Sequence, residues 1–167
     1  MTPEILEWLE TVRERFCPQQ CTVLEVGSMD VNGSARTAFG DAVEYLGVDQ
    51  EAGPGVDLIC NAHDLAIGRT FDVVLCCETL EHDTDPLTTI RQMKAHVAPG
   101  GLLVVTTPGN GFGEHFCPRD YFRFMANFYE DILFDGMTIL EIAQIQGAGQ
   151  TGPTICGVSR SLQPSLV

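Results

Sequence analysis

The chain has 167 residues, with 9 Lys+Arg against 23 Asp+Glu and a net charge of −14. That length suits one domain burying roughly 70% of its unfolded surface, and 44% hydrophobic with 19% charged residues describes a globular chain, not a disordered one. So acidic a field repels phosphate backbones and anionic lipid, which argues against nucleic acid as a partner, and no apolar run approaches the ~18 residues of a membrane-spanning helix.

Cysteine usage points the same way. Seven thiols are an odd number. Cys60, Cys76 and Cys77 lie in or beside apolar runs, where thiols pack as small hydrophobes, so reduced cysteines and a cytoplasmic setting are expected. Cys17 and Cys21 stand four apart, with no second pair to complete a zinc set. Glu4, Glu7 and Glu10 at the start do not make a secretory leader.

In chain order, Thr2-Pro3-Glu4 predicts a helix start, and Ile5, Leu9, Val12 and Phe16, with Trp8 alongside, form one apolar stripe at helical spacing. Pro18 is expected to end that helix. A first strand over 22–26 ends in Glu25, Gly27 and Ser28. A loop of small and polar residues follows, with Asp30, Asn32 and Gly33, and then a predicted helix over 34–39. Glycine there lets the backbone approach a ligand at the strand's carboxyl end. The second strand, 43–48, runs into Asp49. A bare return through Gly53-Pro54-Gly55 is long enough to reach a third parallel strand over 56–60, because six extended residues span ~20 Å; it leaves that edge thinly covered.

Residues 71–76 are a fourth strand of the kind buried on both faces. Asp85-Pro86 then caps a helix with Leu87, Ile90 and Met93 on one face, stopping before Pro99-Gly100-Gly101. A fifth strand covers 102–107. Residues 110–124 have no clean period, and irregular stretches of that size are often functional. A short helix over 127–134 and two antiparallel strands over 137–146 and 154–159 complete an alternating α/β pattern.

Sheets of this kind bind ligands beyond the carboxyl ends of their strands. Four loops meet that condition: 25–33, Asp49-Gln50, Asn61-Ala62-His63-Asp64, and 77–82. Asp49 lies about twenty residues beyond the first turn, where an acid can accept both hydroxyls of a ribose. Taken together and in this order, VLEVGS, YLGVD, NAHDL, FDVVLCCETLEH and HVAPGGLLVVTTPG resemble the class I S-adenosylmethionine-dependent methyltransferases over residues 20–108. The resemblance implies a Rossmann-like, mostly parallel, three-layer α/β/α sheet of order 3-2-1-4-5-7-6, with S-adenosylmethionine as methyl donor. It implies one domain: an N-terminal helix (1–20), a donor-binding core (21–109), an acceptor-side loop and helix (110–136) and a closing strand pair (137–161).

Carried over residue by residue, Glu25, Gly27, Ser28 and Asp30 border the methionine part of the donor, and Asp49 holds the ribose. Gln50, Ala62 and His63 edge the adenine, with Asp64 bonding its amino group, and Cys77 and Glu78 lie near the sulfonium. Met29 and Val31 stand where the family commonly has further glycines, so Asp30-Val31-Asn32-Gly33 supplies an alternative loop.

A sulfonium methyl is already an activated electrophile, so the main task is holding a nucleophile in line with it. A base is needed where that nucleophile must lose a proton, and His82 and His115 are the candidates. Glu78, Glu81 and His82 are spaced i, i+3, i+4, which one helical turn places on one face, and two carboxylates with an imidazole can ligate a divalent cation. This E-x-x-E-H string resembles ubiquinone-pathway O-methyltransferases. With His115 it also resembles small-RNA 2′-O-methyltransferases, where such groups hold magnesium or a similar ion. The reading adopted assigns no metal ligand and keeps a divalent ion as the alternative.

Residues 115–124 resemble a loop of small methyltransferases found with glycan and natural-product pathways. Arg119, Tyr121 and Arg123 are therefore expected at the acceptor, the arginines either clamping an anionic group or tying the loop to an acid. The expected activity is methylation of a small-molecule or carbohydrate-like acceptor at oxygen. The alternatives are a metal-assisted RNA 2′-O-methyltransferase and a catalytically silent donor-binding module.

Overall fold

A computed structural model describes residues 1–17, 19–116 and 119–163. Pro18, expected to stop the first helix, lies outside the described residues, as do Cys117 and Pro118 of the 115–124 loop.

The first helix, α1, spans Pro3–Phe16, with proline in its first turn and Glu4 at its positive end. Its stripe faces inward: Ile5, Trp8, Leu9 and Val12 are buried. Full burial of one such side chain contributes about 1.5–3 kcal/mol, so the stripe holds the helix to the sheet. Trp8 finds a partner for its indole N–H, donating to Glu141 Oε1 at 2.8 Å.

The strands are β1 (Thr22–Val26), β2 (Glu44–Asp49), β3 (Leu58–Ile59), β4 (Phe71–Cys77), β5 (Val97–Pro108), β6 (Thr138–Ile145) and β7 (Thr154–Arg160). They form one sheet of order β3-β2-β1-β4-β5-β7-β6. The first five are parallel to one another, and β7 runs antiparallel to both β5 and β6. Alternating side chains of the central strands divide into two cores, as a two-residue period requires. Leu24, Val26, Val74, Cys76, Leu103 and Val105 face the helix α2 (Pro86–Ala95) through its Ile90 and Met93. Val23, Val73, Leu75, Leu102 and Val104 face α1. Three layers result, and no helix among the described residues is long and apolar enough to cross a membrane.

Local departures from expectation have local causes. The helix expected over 34–39 is only a 3-10 turn, Ala35–Thr37, capped by Ser34 Oγ accepting from Arg36 N at 3.2 Å. Only Ala35 and Phe39 are fully buried there, with Ala38 partly so, too little to offset nucleation of a longer helix. The third strand shrinks to Leu58–Ile59, both exposed. The return before it crosses β2 closely, and a Cβ on Gly47 would lie 2.3 Å from Gly55 O. The helix expected over 127–134 is one α turn, α3 (Ala126–Phe128), running into a π turn, Tyr129–Leu133. Tyr129 anchors it, its hydroxyl donating to Ile155 O at 2.9 Å with Thr107 Oγ1 at 2.8 Å.

Candidate active site

The carboxyl ends of β1, β2, β3 and β4 converge on a cleft of about 720 Å³. Its wall brings together Glu25, Gly27, Ser28, Asp49, Gln50, Ala62, His63, Cys77, Glu78, His82, His115, Arg119 and Tyr121. Three residues expected there are not part of that wall. Asp30 serves its own loop, accepting from Gly33 N at 2.8 Å, and Asp64 ends the 3-10 turn Ala62–Asp64. Arg123 is committed to Asp120, at 2.6 Å through Nη2, and to the carbonyls of Phe112 and Gly113 at 3.0 and 2.8 Å. It ties the loop down, and the guanidinium in turn holds the Asp120 carboxyl at about 2.

On the donor side, β1 hands over through Gly27, whose φ of +78° suits glycine. A Cβ there would sit 2.1 Å from Thr79 Oγ1, so the turns after β1 and β4 can approach only because it is absent. Glu25 is 3% exposed and accepts from the Tyr45 hydroxyl at 2.7 Å. Burial nevertheless pushes its carboxyl up to about 7. Asp49 is oriented by two backbone donors, Met29 N at 3.1 Å and Glu51 N at 3.2 Å, with lone pairs left over. His63 Nε2 lies 2.6 Å from Asp83 Oδ1, and Asp83 Oδ2 accepts from Thr89 Oγ1 at 2.5 Å.

The wall also holds polar residues to which the sequence assigned no role, among them Asn61 and Asp83. Asn61, and not Asp64, lines the cleft, and its Oδ1 accepts from His63 N at 2.8 Å. Such a side-chain turn is the signal that its position in N-A-H-D carries. Asp83 had no sequence signal, since its partner His63 is twenty residues away.

The expectation that Glu78, Glu81 and His82 share one helical face is corrected. Glu78 has φ +50°, a conformation costing a non-glycine residue about 1–3 kcal/mol. It breaks the chain between β4 and a 3-10 turn confined to Leu80–His82. The group that forms instead is Glu81, His82 and His115, whose ligating atoms all lie within 4.8 Å of one another. Glu81 is fully buried, and neither carboxylate oxygen has a hydrogen-bond partner. Its Oε1 is 3.6 Å from His82 Nε2 and 3.5 Å from His115 Nε2.

His82 Nδ1 meets the Arg119 carbonyl at 2.5 Å. Because a carbonyl only accepts, the proton of a neutral His82 sits on Nδ1, and Nε2 turns a lone pair toward Glu81. Glu81, with a further contribution from Asp120, raises the pKa of His115. Two negative or lone-pair atoms facing each other without a proton between them repel. The group is thus built to receive a proton or a cation.

Comparison with known proteins fits this geometry. A methyltransferase-domain family profile matches residues 5–147. The ubiquinone biosynthesis O-methyltransferase of Xanthomonas axonopodis pv. citri is 36% identical over 114 residues, 59% of this chain and 48% of its own length. Its counterpart from Parvibaculum lavamentivorans is 37% identical over 67 residues, 39% of this chain and 26% of its own. The chain therefore spans about half or less of these relatives. Among solved structures, the Burkholderia thailandensis 1,6-didemethyltoxoflavin-N1-methyltransferase, bound to 1,6-didemethyltoxoflavin and S-adenosylhomocysteine, has a TM-score of 0.78 at 15% identity, covering 95% of this chain and 78% of that one. The N-methyltransferase NodS of Bradyrhizobium japonicum, with S-adenosylhomocysteine, has a TM-score of 0.70 at 17% identity, covering 94% and 84%. At such identities the likeness is one of fold. The profile match over most of the length, on a sheet of this order, shows that the chain belongs to the methyltransferase-domain family, the class I S-adenosylmethionine-dependent methyltransferases.

Proposed function

We propose that this chain methylates a hydroxyl oxygen of a small-molecule or carbohydrate-like acceptor, with S-adenosylmethionine as donor. The observation that carries this reading is the buried Glu81 carboxylate between His82 and His115, two histidines of the cleft wall. The wall suits the donor. Asp49 offers free lone pairs at the end of β2, while Ser28 Oγ and Glu78 Oε1 are buried there with no hydrogen-bond partner. When bound, S-adenosylmethionine supplies a methyl carbon already activated by its sulfonium.

The protein's own part is positioning and proton handling. Asp49 and Glu25 hold the donor's hydroxyl and amino groups. The Nε2 lone pair of His82 takes the acceptor proton, and Glu81 stabilises the imidazolium that forms. Tyr121 and Arg119 border the acceptor's side of the cleft. The O-methyltransferase names of the sequence relatives support oxygen as the target, and a net charge of −14 weighs against RNA.

A second reading is favoured by the same unsatisfied carboxylate. Glu81, His82 and His115 are a donor set suited to a divalent cation, which would hold the acceptor oxygen and lower its pKa. Turnover assays separate the two. For a base, His82→Ala lowers kcat by ~10²–10⁴ with donor affinity unchanged, and chelators do nothing. For a metal, a chelator abolishes turnover until the ion is restored. Full activity of His82→Ala in the presence of chelator would overturn both.

A further inference from the structure

Neither reading gives the carboxylate of Glu78, in the cleft wall, a chemical role. Among the described residues Glu78 is the one non-glycine with a left-handed backbone, at φ +50°. Its neighbours hold it there: its N–H donates to Thr106 O at 2.9 Å, and Thr79 Oγ1 donates to Cys77 O at 3.0 Å. Glycine adopts this conformation freely, so what glutamate adds is its carboxylate. One oxygen of that carboxylate, Oε1, is buried without a hydrogen-bond partner in the wall of the cleft. Strain kept at a ligand site points to a role for the side chain.

Its position narrows that role. Glu78 follows β4 directly beside β1 and lines the cleft together with the turns after β1 and β2 and with His82 and His115. A methyl group that passes from a donor on those turns to an acceptor beside the two histidines crosses the wall that Glu78 shares with both, and the sulfur that carries it lies along the same wall. We propose that Glu78 reads the charge on that sulfur, its carboxylate favouring the cationic sulfonium donor over the neutral thioether product. This rests on the donor assignment above. A carboxylate in a buried wall attracts a cation beside it and gains no such attraction from a neutral thioether. The contact that selects the donor is then absent for the product, which reduces product inhibition.

Calorimetry with S-adenosylmethionine and S-adenosylhomocysteine tests this directly. Glu78→Gln should weaken the donor by about tenfold or more while leaving the product within about twofold, as expected for loss of one charge-assisted contact. A parallel loss for both ligands would place Glu78 on a part they share and overturn the proposal, as would no change for either. If the variant does not fold, the unaltered protein decides. Sinefungin, which replaces the S-methyl unit by a carbon bearing an amine cation, should bind at least about tenfold tighter than S-adenosylhomocysteine, and equal affinities would overturn the proposal. Failure of the unaltered protein to bind any of the three would instead sink the donor assignment.

Discussion

Asp49 is legible at the residue scale because its chemistry is local. A strand end, a Gly-Val before it and a carboxylate with two backbone donors make a preoriented acceptor. On the proposed ribose role, Asp49→Ala should weaken S-adenosylmethionine binding by ~1.5–3 kcal/mol, since one carboxylate would serve two hydroxyls. Titration calorimetry checks it, and unaltered affinity would remove Asp49 from the ribose site. The two arginines of the 115–124 loop show where residue type alone is silent. Arg119 lines the cleft, whereas Arg123 is spent on Asp120. Both lie in one polar segment, and only the folded loop distinguishes them.

At the scale of elements, period and punctuation carried the strands and the two longer helices. They failed where an element is too short to be set by its own sequence. The turn at 34–39 and the spacing of Glu78, Glu81 and His82 fit a helical period, but the chain there is 3-10 or left-handed. Gly27 joins two elements, and it can be tested as such. Gly27→Ala meets both a φ of +78° and a 2.1 Å contact with Thr79 Oγ1. A loss of about 1–3 kcal/mol in urea unfolding is expected. Stability equal to the parent would mean that the β1 and β4 turns are not in close contact.

For the whole molecule, the buried Glu25 couples folding to pH. Its carboxyl titrates near 7 in the folded chain and near 4.5 unfolded. Between those values the unfolded state releases the proton while the folded state keeps it. Stability from this group therefore falls as pH rises from about 4.5 to about 7, by on the order of 3 kcal/mol, and is level outside that window. Melting curves of the ligand-free protein should show that decline, and Glu25→Gln should flatten it. An unchanged pH profile in the variant would show that Glu25 is ionised in the folded state. The Tyr45 hydroxyl at 2.7 Å opposes the shift but does not cancel it.

By itself the sequence determined the strands of the sheet and the strand-end loops that line the cleft, because each depends on local features: apolar runs buried on both faces, a glycine after a strand, an acid at a strand end. The strand order followed from the resemblance of the motif series to the class I methyltransferases, and it is the order observed. Only the tertiary structure decided the group of Glu81, His82 and His115. His115 is 33 residues beyond His82, on a loop without period. What brings it to 3.5 Å from Glu81 is the anchoring of that loop, through Arg123 to Asp120 and through the Tyr121 N–H to Glu81 O at 2.7 Å. The strain at Glu78 was equally invisible, because φ at a strand end is set by what packs around it, here Thr106 on β5 and the turn after β1, and not by the residue itself.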